Sequence, residues 1–339
     1  IFKDLELPPP KYNLEVGSGI HGEQTGKILE RIEKVFLEER PTHVIVQGDT
    51  NTTLAGALAA RKLNIRVGHI EAGLRSFDHR MPEETNRTLV DHMSDFCFAP
   101  TPQAEKNLIK EGLPPSKIHV TGNTVVDAVI QHLSLAEEKS RVLETQSLTP
   151  ENYFLITAHR AETIDNPDKL RELISAFQSI AQKYSLPVIF PIHPRTEKNL
   201  QAANIELPAD LRAIPPIGYL DMLKLIKHAA LVITDSGGLQ EEACILETKC
   251  VTIRDNTERP ETVEIGGNII AGTDPEKILT SVEEMLKKQV TWKNPFGDGT
   301  AGNKCIDILT DHAMKSKKVC VVGLGYMGLP TASLLATHG

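Results

Sequence analysis

Short apolar runs recur along the chain, and each ends on Gly, Asp, Ser or His before a helical pattern begins. Residues 43–46 lead into Gly48-Asp49-Thr50, residues 66–70 into Glu71-Ala72-Gly73, and residues 96–98 into Pro100-Thr101. Residues 118–120 run into Gly122-Asn123, 153–156 into Ala158-His159-Arg160, 188–190 into His193-Pro194, and 231–233 into Asp235-Ser236-Gly237-Gly238. Strands buried on both faces read as continuous apolar runs, because helices cover each side of a parallel sheet. Between the runs lie amphipathic stripes. Ile28, Leu29, Ile32, Val35 and Phe36 form one, with Pro41 beyond its end. Leu170, Leu173, Ile174, Phe177 and Ile180 form another, opened by the cap and first-turn proline Asn166-Pro167. Pro275 opens a third, with Ile278, Leu279, Val282 and Leu286 inward. Alternating strand and helix predicts an α/β protein with parallel sheets. The charged, weakly patterned stretch 134–151 marks the predicted domain boundary. Two Rossmann-like domains facing each other across a cleft are the expected architecture. Every polar cluster named above then falls beyond the carboxyl end of a strand, where such sheets bind ligands.

Length agrees, since 339 residues suit two domains. Lys and Arg total 37 against 45 Asp and Glu, a net charge of −8, which disfavours a nucleic-acid binder. No apolar run approaches the ~18 residues of a membrane span. Five cysteines, odd in number and never spaced CxxC, predict reduced thiols, no zinc knuckle and a cytoplasmic protein. No HxxxH, HExxH or Cys/His cluster occurs, so no metal site is expected. The chain opens on Ile and closes at Gly339 inside what reads as a new domain, so a fragment is expected.

Asp235-Ser-Gly-Gly-Leu-Gln-Glu-Glu242 is the sharpest local signal. Glycines after a strand let backbone N–H groups approach a ligand, and the helix that follows offers its N-terminus to a phosphate. A tight turn capped by Ser236 is the plainer alternative. Glu242, a turn further on, suits sugar or ribose hydroxyls. Arg259, in Arg254-Asp-Asn-Thr-Glu-Arg-Pro-Glu261, is a candidate phosphate partner through its fork of donors, or else part of a salt-bridged loop. Gly48-Asp49-Thr50, Glu71-Ala-Gly-Leu-Arg75 and Pro82-Glu-Glu-Thr-Asn-Arg87 place acids on three neighbouring elements of the first domain, an arrangement suited to taking a proton and returning it. His159 faces the same predicted cleft and can donate to a phosphate or act as acid or base. From Lys317, the pattern Lys317-Lys-Val-Cys-Val-Val-Gly323-Leu-Gly325-Tyr-Met-Gly328 reads as a dinucleotide fingerprint that stops short of a second strand, so no NAD site is expected. The strand 319–322 is expected to find no partner.

Taken together, Gln47-Gly-Asp-Thr-Asn-Thr-Thr53, Gly68-His-Ile-Glu-Ala-Gly-Leu-Arg75, Pro82-Glu-Glu-Thr-Asn-Arg87, Thr121-Gly-Asn-Thr124, Thr157-Ala-His-Arg160, Thr234-Asp-Ser-Gly-Gly-Leu-Gln-Glu-Glu242, Arg254-Asp-Asn-Thr-Glu-Arg-Pro-Glu261 and Asn294-Pro-Phe-Gly-Asp-Gly299 closely resemble the non-hydrolysing UDP-N-acetylglucosamine 2-epimerases. The resemblance covers about residues 1–312. It implies the two-domain fold of the B-type glycosyltransferases: an N-terminal domain over 1–135, a UDP-binding domain over 150–290, and a segment 291–312 whose helix crosses back to the first domain. The incomplete dinucleotide-binding start occupies 317–339.

The implied reaction interconverts UDP-GlcNAc and UDP-ManNAc by anti elimination of UDP and re-addition to 2-acetamidoglucal. The resemblance casts Asp49, Glu71 and Glu83 as catalytic carboxylates and His159 as the histidine at the pyrophosphate. Ser236, Gly237, Gly238, Glu242 and Arg259 match its UDP site, Ile217 and Met222 fall in the loop that holds the uracil, and Arg160 matches a regulatory position. No cofactor, membrane or nucleic acid is implied, and a homodimer is. The chain starts beyond the family's opening Gly-Thr-Arg-Pro-Glu loop, so the first domain is expected to lack its opening strand and helix and two substrate cations, leaving little activity. The tail resembles the start of a UDP-ManNAc-type dehydrogenase, which would consume the product, so a coupled or fused pair is implied. A glycosyltransferase of the same fold, a non-catalytic UDP-sugar binding module, and a hydrolysing epimerase are the competing readings.

Overall fold

A computed structural model describes residues 5–6, 8–311 and 318–323. The chain divides into two compact units, one of residues 1–130 and 296–339, the other of residues 131–295.

In the first unit α1 (His21–Glu39), β1 (His43–Gln47), α2 (Asn51–Lys62), β2 (Arg66–Ile70), α3 (Pro82–Met93), β3 (Phe96–Ala99), α4 (Pro102–Lys110) and β4 (Ile118–Val120) follow one another. Helix α5 (Thr124–Lys139) leads out of it. All five residues of β1 are buried, as are the four of β3, which is why residues 44–46 and 96–99 are unbroken apolar runs. Thr50 and Thr101 open α2 and α4 by accepting backbone N–H groups from Thr53 and Ala104. Gly73 has φ +81°, and a Cβ there would lie 2.3 Å from the Ala104 carbonyl oxygen, so the turn after β2 reaches α4 only with glycine.

The second unit contains α6 (Val142–Thr145), β5 (Phe154–Thr157), α7 (Ala161–Ile164), α8 (Pro167–Tyr184), β6 (Val188–Pro191), α9 (Pro194–Ala202), β7 (Leu211–Ile214), α10 (Tyr219–His228), β8 (Leu231–Thr234), α11 (Gly237–Ile245), β9 (Cys250–Thr252), α12 (Pro260–Glu264), β10 (Asn268–Ile270) and α13 (Pro275–Lys287). Its parallel sheet has the order β10-β9-β8-β5-β6-β7. Leu170, Leu173, Ile174, Phe177 and Ile180 of α8 pack with Ile278, Val282 and Met285 of α13 on Phe154, Ile156, Val188 and Ile233.

The chain then returns to the first unit. Phe296 accepts the Asn123 N–H through its carbonyl, and α14 (Ala301–Asp311) begins with its Ala301 and Gly302 N–H groups on the Asp127 carboxylate. Finally β11 (Val319–Val322) pairs in parallel with β1, giving the order β11-β1-β2-β3-β4.

Three details depart from the sequence reading. The weakly patterned stretch 134–151 carries regular structure, and the division between the units falls before it, at 130/131. Helix α5 continues through Lys139, with Ala136 buried, Glu137, Glu138 and Lys139 outward, and α6 follows. Strand 319–322 has a partner after all, pairing in parallel register with β1. Strands β7 and β10 were not anticipated. The first has only its end residues buried and the second is three residues long, so neither carries a long apolar run. Gly325 and Gly328 of the fingerprint lie outside the described residues.

Candidate active site

At the carboxyl end of β1 the backbone turns at Gly48, with φ +73°. Its N–H donates to the Ile70 carbonyl at 3.1 Å, joining the turn to the end of β2. Its carbonyl accepts from His69 Nε2 at 2.8 Å, while His69 Nδ1 lies 2.6 Å from Asp91 Oδ1. Asp91 also receives Arg75 at 2.6 Å and the Gly73 N–H at 3.1 Å. Burial pushes the Asp91 carboxyl up, but His69 and Arg75 together hold it below the ordinary range. This buried network underlies both turns that carry the candidate acids.

Asp49 follows that turn, half-buried. Helix α3 holds it twice: Arg87 reaches Asp49 Oδ2 at 2.5 Å, and Asn86 Nδ2 donates to the Asp49 carbonyl at 2.8 Å. Glu71, after β2, is 8% exposed with φ +71°, and accepts Gln47 Nε2 at 2.8 Å through Oε1. Glu83 and Glu84 share the first turn of α3, but their surroundings differ. Glu84 is buried and accepts from the Ser76 N–H and hydroxyl, the Phe77 N–H and Arg87 Nη1. Glu83 is half-buried. Glu84 therefore builds the loop that precedes α3, while Glu83, less buried, stands in the first turn of the helix. Asp49, Glu71 and Glu83 are brought to one end of this sheet.

In the second unit, strand order reverses between β5 and β8, the switch point at which doubly wound sheets open a crevice. The residues beyond those two strands are Ala158-His159 and Asp235-Ser236. Asp235 is wholly buried. Its Oδ2 accepts the His159 and Arg160 N–H groups at 2.7 and 2.8 Å, and its Oδ1 lies 3.0 Å from His159 Nδ1. Burial raises the Asp235 carboxyl, yet the His159 ring and the two N–H groups hold it below its ordinary value. His159 is one-third exposed and stands 5.4 Å, centroid to centroid, from the His193 ring. Burial, and then the neighbouring His159, lowers the affinity of His193 for a proton.

Ser236 caps α11 by accepting the Leu239 N–H, so Gly237 and Gly238 form the first turn, suited to an anion. A Cβ on Gly237 would come within 2.5 Å of Glu258 Oε1. Glu258 is itself held by Arg254 at 2.9 Å, and Arg160 approaches it at 3.8 Å. Glu242 is buried; desolvation, aided by Glu241, raises its carboxyl to about 8. It thus carries its proton at neutral pH and can donate as well as accept. Arg259 is buried and engages Glu241 at 2.7 Å, so its charge is already balanced by a carboxylate. Ile217 precedes α10, half-buried, whereas Met222 lies within its first turn and not in the loop; α10 begins at Tyr219 because Gly218 takes the cap position.

Several supporting residues were not singled out beforehand: Asp235 behind His159, Glu84 and Arg87 beneath Asp49, and the pair His69–Asp91. Asp235 had a signal, a lone acid directly after an apolar strand. The others reveal themselves only through tertiary pairing. Among the described residues no group of three His, Cys, Asp or Glu could hold a metal, and no helix is long and apolar enough to cross a membrane.

Residues 1–310 match the family model for UDP-N-acetylglucosamine 2-epimerase. The chain is 55% identical over 314 residues to the UDP-N-acetylglucosamine 2-epimerase of Methanococcus maripaludis, covering 91% of this chain and 86% of that one. The crystal structure of Methanocaldococcus jannaschii UDP-GlcNAc 2-epimerase in complex with UDP-GlcNAc and UDP superimposes with a TM-score of 0.88 at 53% identity, over 91% of this chain and 87% of that one. The Neisseria meningitidis UDP-GlcNAc 2-epimerase bound to UDP-GlcNAc gives 0.84 at 32% identity, over 92% and 88%.

Proposed function

This chain belongs to the UDP-N-acetylglucosamine 2-epimerase family, and from that premise we propose that it interconverts UDP-GlcNAc and UDP-ManNAc by eliminating UDP and adding it back. In the forward half, a carboxylate takes the C2 proton as the C1–O bond to UDP breaks with its electron pair, leaving 2-acetamidoglucal and UDP. In the return half, a proton reaches the opposite face of C2 and the UDP oxygen rejoins C1. Asp49, Glu71 and Glu83 handle the protons. Arg87 keeps Asp49 aimed. His159, oriented by Asp235, and the first turn of α11 at Ser236, Gly237 and Gly238 take the departing pyrophosphate. Protonated Glu242 shares hydrogen bonds with hydroxyls of the nucleotide sugar, and Ile217 and Met222 line the uracil. Arg259 acts through Glu241 and the fold of the α11–α12 region. Arg160 is the candidate regulatory contact. The same reading carries a homodimer, and a UDP-sugar dehydrogenase as consumer of the product.

The observation that carries this reading is the placement of three acids at one end of the first sheet: Asp49 and Glu71 follow neighbouring parallel strands, and Glu83 lies in the first turn of the helix that comes next. A glycosyltransferase of this fold would have no use for three such acids.

The test is incubation with UDP-GlcNAc alone in deuterated water, followed by NMR. UDP-ManNAc carrying deuterium at C2 is expected. ManNAc and UDP would instead assign a hydrolysing enzyme. Turnover only with an added acceptor would assign a glycosyltransferase, and UDP binding without turnover would assign a binding module.

A further inference from the structure

Gln47 ends β1, directly after the apolar run Val44-Ile45-Val46, and is only 7% exposed. An amide at that depth costs the fold unless its polar atoms find partners. The main chain here is fixed, because the Gln47 carbonyl accepts Thr53 Oγ1 at 2.7 Å and the residue stands opposite Ile70 of β2. The side chain runs to Glu71, whose Oε1 accepts from Nε2 at 2.8 Å. Thr124 Oγ1, at the start of α5, lies 3.3 Å from the same nitrogen. The two hydrogens on Nε2 thus meet a carboxylate and a hydroxyl, which sets the way the amide faces. Its oxygen is left buried with no hydrogen-bond partner among the described residues. An apolar side chain of similar length would spare the strand that unpaired carbonyl. What the amide supplies instead is its bond to Glu71.

Glu71 is itself tightly placed. Its backbone sits at φ +71°, a region that strains a residue with a side chain. The turn is tied on both sides, by the Gly48 N–H on the Ile70 carbonyl at 3.1 Å and the Ala72 N–H on the Phe98 carbonyl at 3.2 Å. With the main chain fixed, the rotation of the carboxylate is what remains to be set. Oε1 takes the Gln47 N–H, and Oε2 lies toward Gly48, 4.0 Å from where a Cβ on that glycine would stand. The partner also differs in kind from that of Asp49, which is held by the Arg87 guanidinium. A cation aims a carboxylate but makes it a weaker base, whereas a neutral amide aims it and leaves it able to take a proton.

We propose that Gln47 is a positioning residue for proton transfer: by holding Oε1 it assigns the transfer to Oε2 of Glu71. The inference rests on the reading of Glu71 as one of the acids that handle the C2 proton. The proton passes between C2 and Oε2. When it leaves C2, the C–H electron pair becomes the glucal double bond and UDP departs with the C1–O pair. The Gln47 hydrogen bond to Oε1 persists throughout.

The test uses the full chain with Gln47→Met, which keeps the length and loses the N–H, and with Gln47→Asn, which keeps the amide and stops it a methylene short. Each lowers turnover of UDP-GlcNAc by about tenfold or more, as misplacing a reacting group does. KM changes by less than about twofold, because the loss falls on the transition state. The isotope effect of UDP-GlcNAc deuterated at C2 stays at or above that of the unaltered chain, since the slowed step is the proton's. In a Glu71→Gln background Gln47→Met has little further effect. Wild-type-like turnover in either variant, an isotope effect that falls toward one, or a Gln47→Met loss that multiplies with that of Glu71→Gln overturns the positioning role. The contact is also read without turnover. In glutamine-labelled protein the Gln47 side-chain N–H signals, identified by their absence from Gln47→Met, shift in Glu71→Gln and hold still in Glu83→Gln. Signals indifferent to Glu71→Gln overturn the contact. If those signals shift but Glu71→Gln turns over as wild type, the failure is that of the underlying reading, and the proposal falls with it.

Discussion

His69 Nε2 lies 2.8 Å from the carbonyl oxygen of Gly48, and the partners of both its ring nitrogens are acceptors, the other being the Asp91 carboxylate. Each nitrogen therefore donates, and the ring fixes the turn that presents Asp49. His69→Asn reaches only one of the two acceptors. Because it opens a buried charged network, a stability loss of about 3 kcal/mol is expected. In the surviving folded protein turnover falls more than KM changes, since the substrate contacts stay in place while Asp49 loses its aim. Denaturant melts and a kcat-against-KM comparison check this.

The adjacent glutamates give opposite outcomes. Glu83→Gln lowers turnover by about 10² to 10⁴, the usual worth of a general acid or base, with little change in melting temperature. Glu84→Gln weakens the contacts to Ser76, Phe77 and Arg87 and lowers melting temperature first. Asp49→Asn behaves as Glu83→Gln in rate. Wild-type-like turnover in either Glu83→Gln or Asp49→Asn would remove those residues from the proton-handling set.

Glu242 makes stability depend on pH in the unusual direction for an acid. Its folded carboxyl titrates at about 8 against an ordinary 4.5. Below 4.5 it is neutral in both states and costs nothing. As pH rises from 4.5 to 8, only the unfolded chain gives up its proton, so the folded state loses ground. Glu242→Gln should be near neutral at pH 4 and stabilising by about 5 kcal/mol at pH 9. Thermal melts of both proteins at the two pH values decide it.

Asp91 and Asp235 act in the opposite sense, because both folded carboxyls are held below the ordinary 3.8. Their contribution is complete above 3.8 and is lost as pH falls through the folded values. Asp235→Asn should flatten the acid limb of the stability curve and also weaken UDP binding, since it frees the His159 ring and the loop it closes. Acid titration by circular dichroism and UDP calorimetry measure the two effects.

Chelation should leave epimerase activity intact, and added NAD should not raise it. Loss of turnover in EDTA would place a metal in the reaction.

The strands with unbroken apolar runs, such as β1 and β8, were legible to within a residue, because burial on both faces leaves one solution for such a run. Helix α8 was equally plain, its stripe framed by Asn166 and Pro167. The short, half-exposed β7 and the three-residue β10 were not, since two or three apolar positions do not define a period. The candidate acids were visible as polar residues after strands. What separates Glu83 from Glu84 was not: both are first-turn acids in sequence, and only tertiary partners distinguish them. The role of 318–323 was misread for a related reason. A strand's partner is a property of the sheet edge that receives it, and nothing in Lys318-Val-Cys-Val-Val names His43.

The pairing of β11 with β1 joins positions 276 residues apart, counted from Thr42 to Lys318. The second unit, by contrast, is one uninterrupted stretch from 131 to 295. During synthesis that stretch can close its core before α14 and β11 have been made. Contacts so distant along the chain form slowly and late. The nascent first unit is therefore finished last, and that interval, more than the finished protein, is when a chaperone would matter.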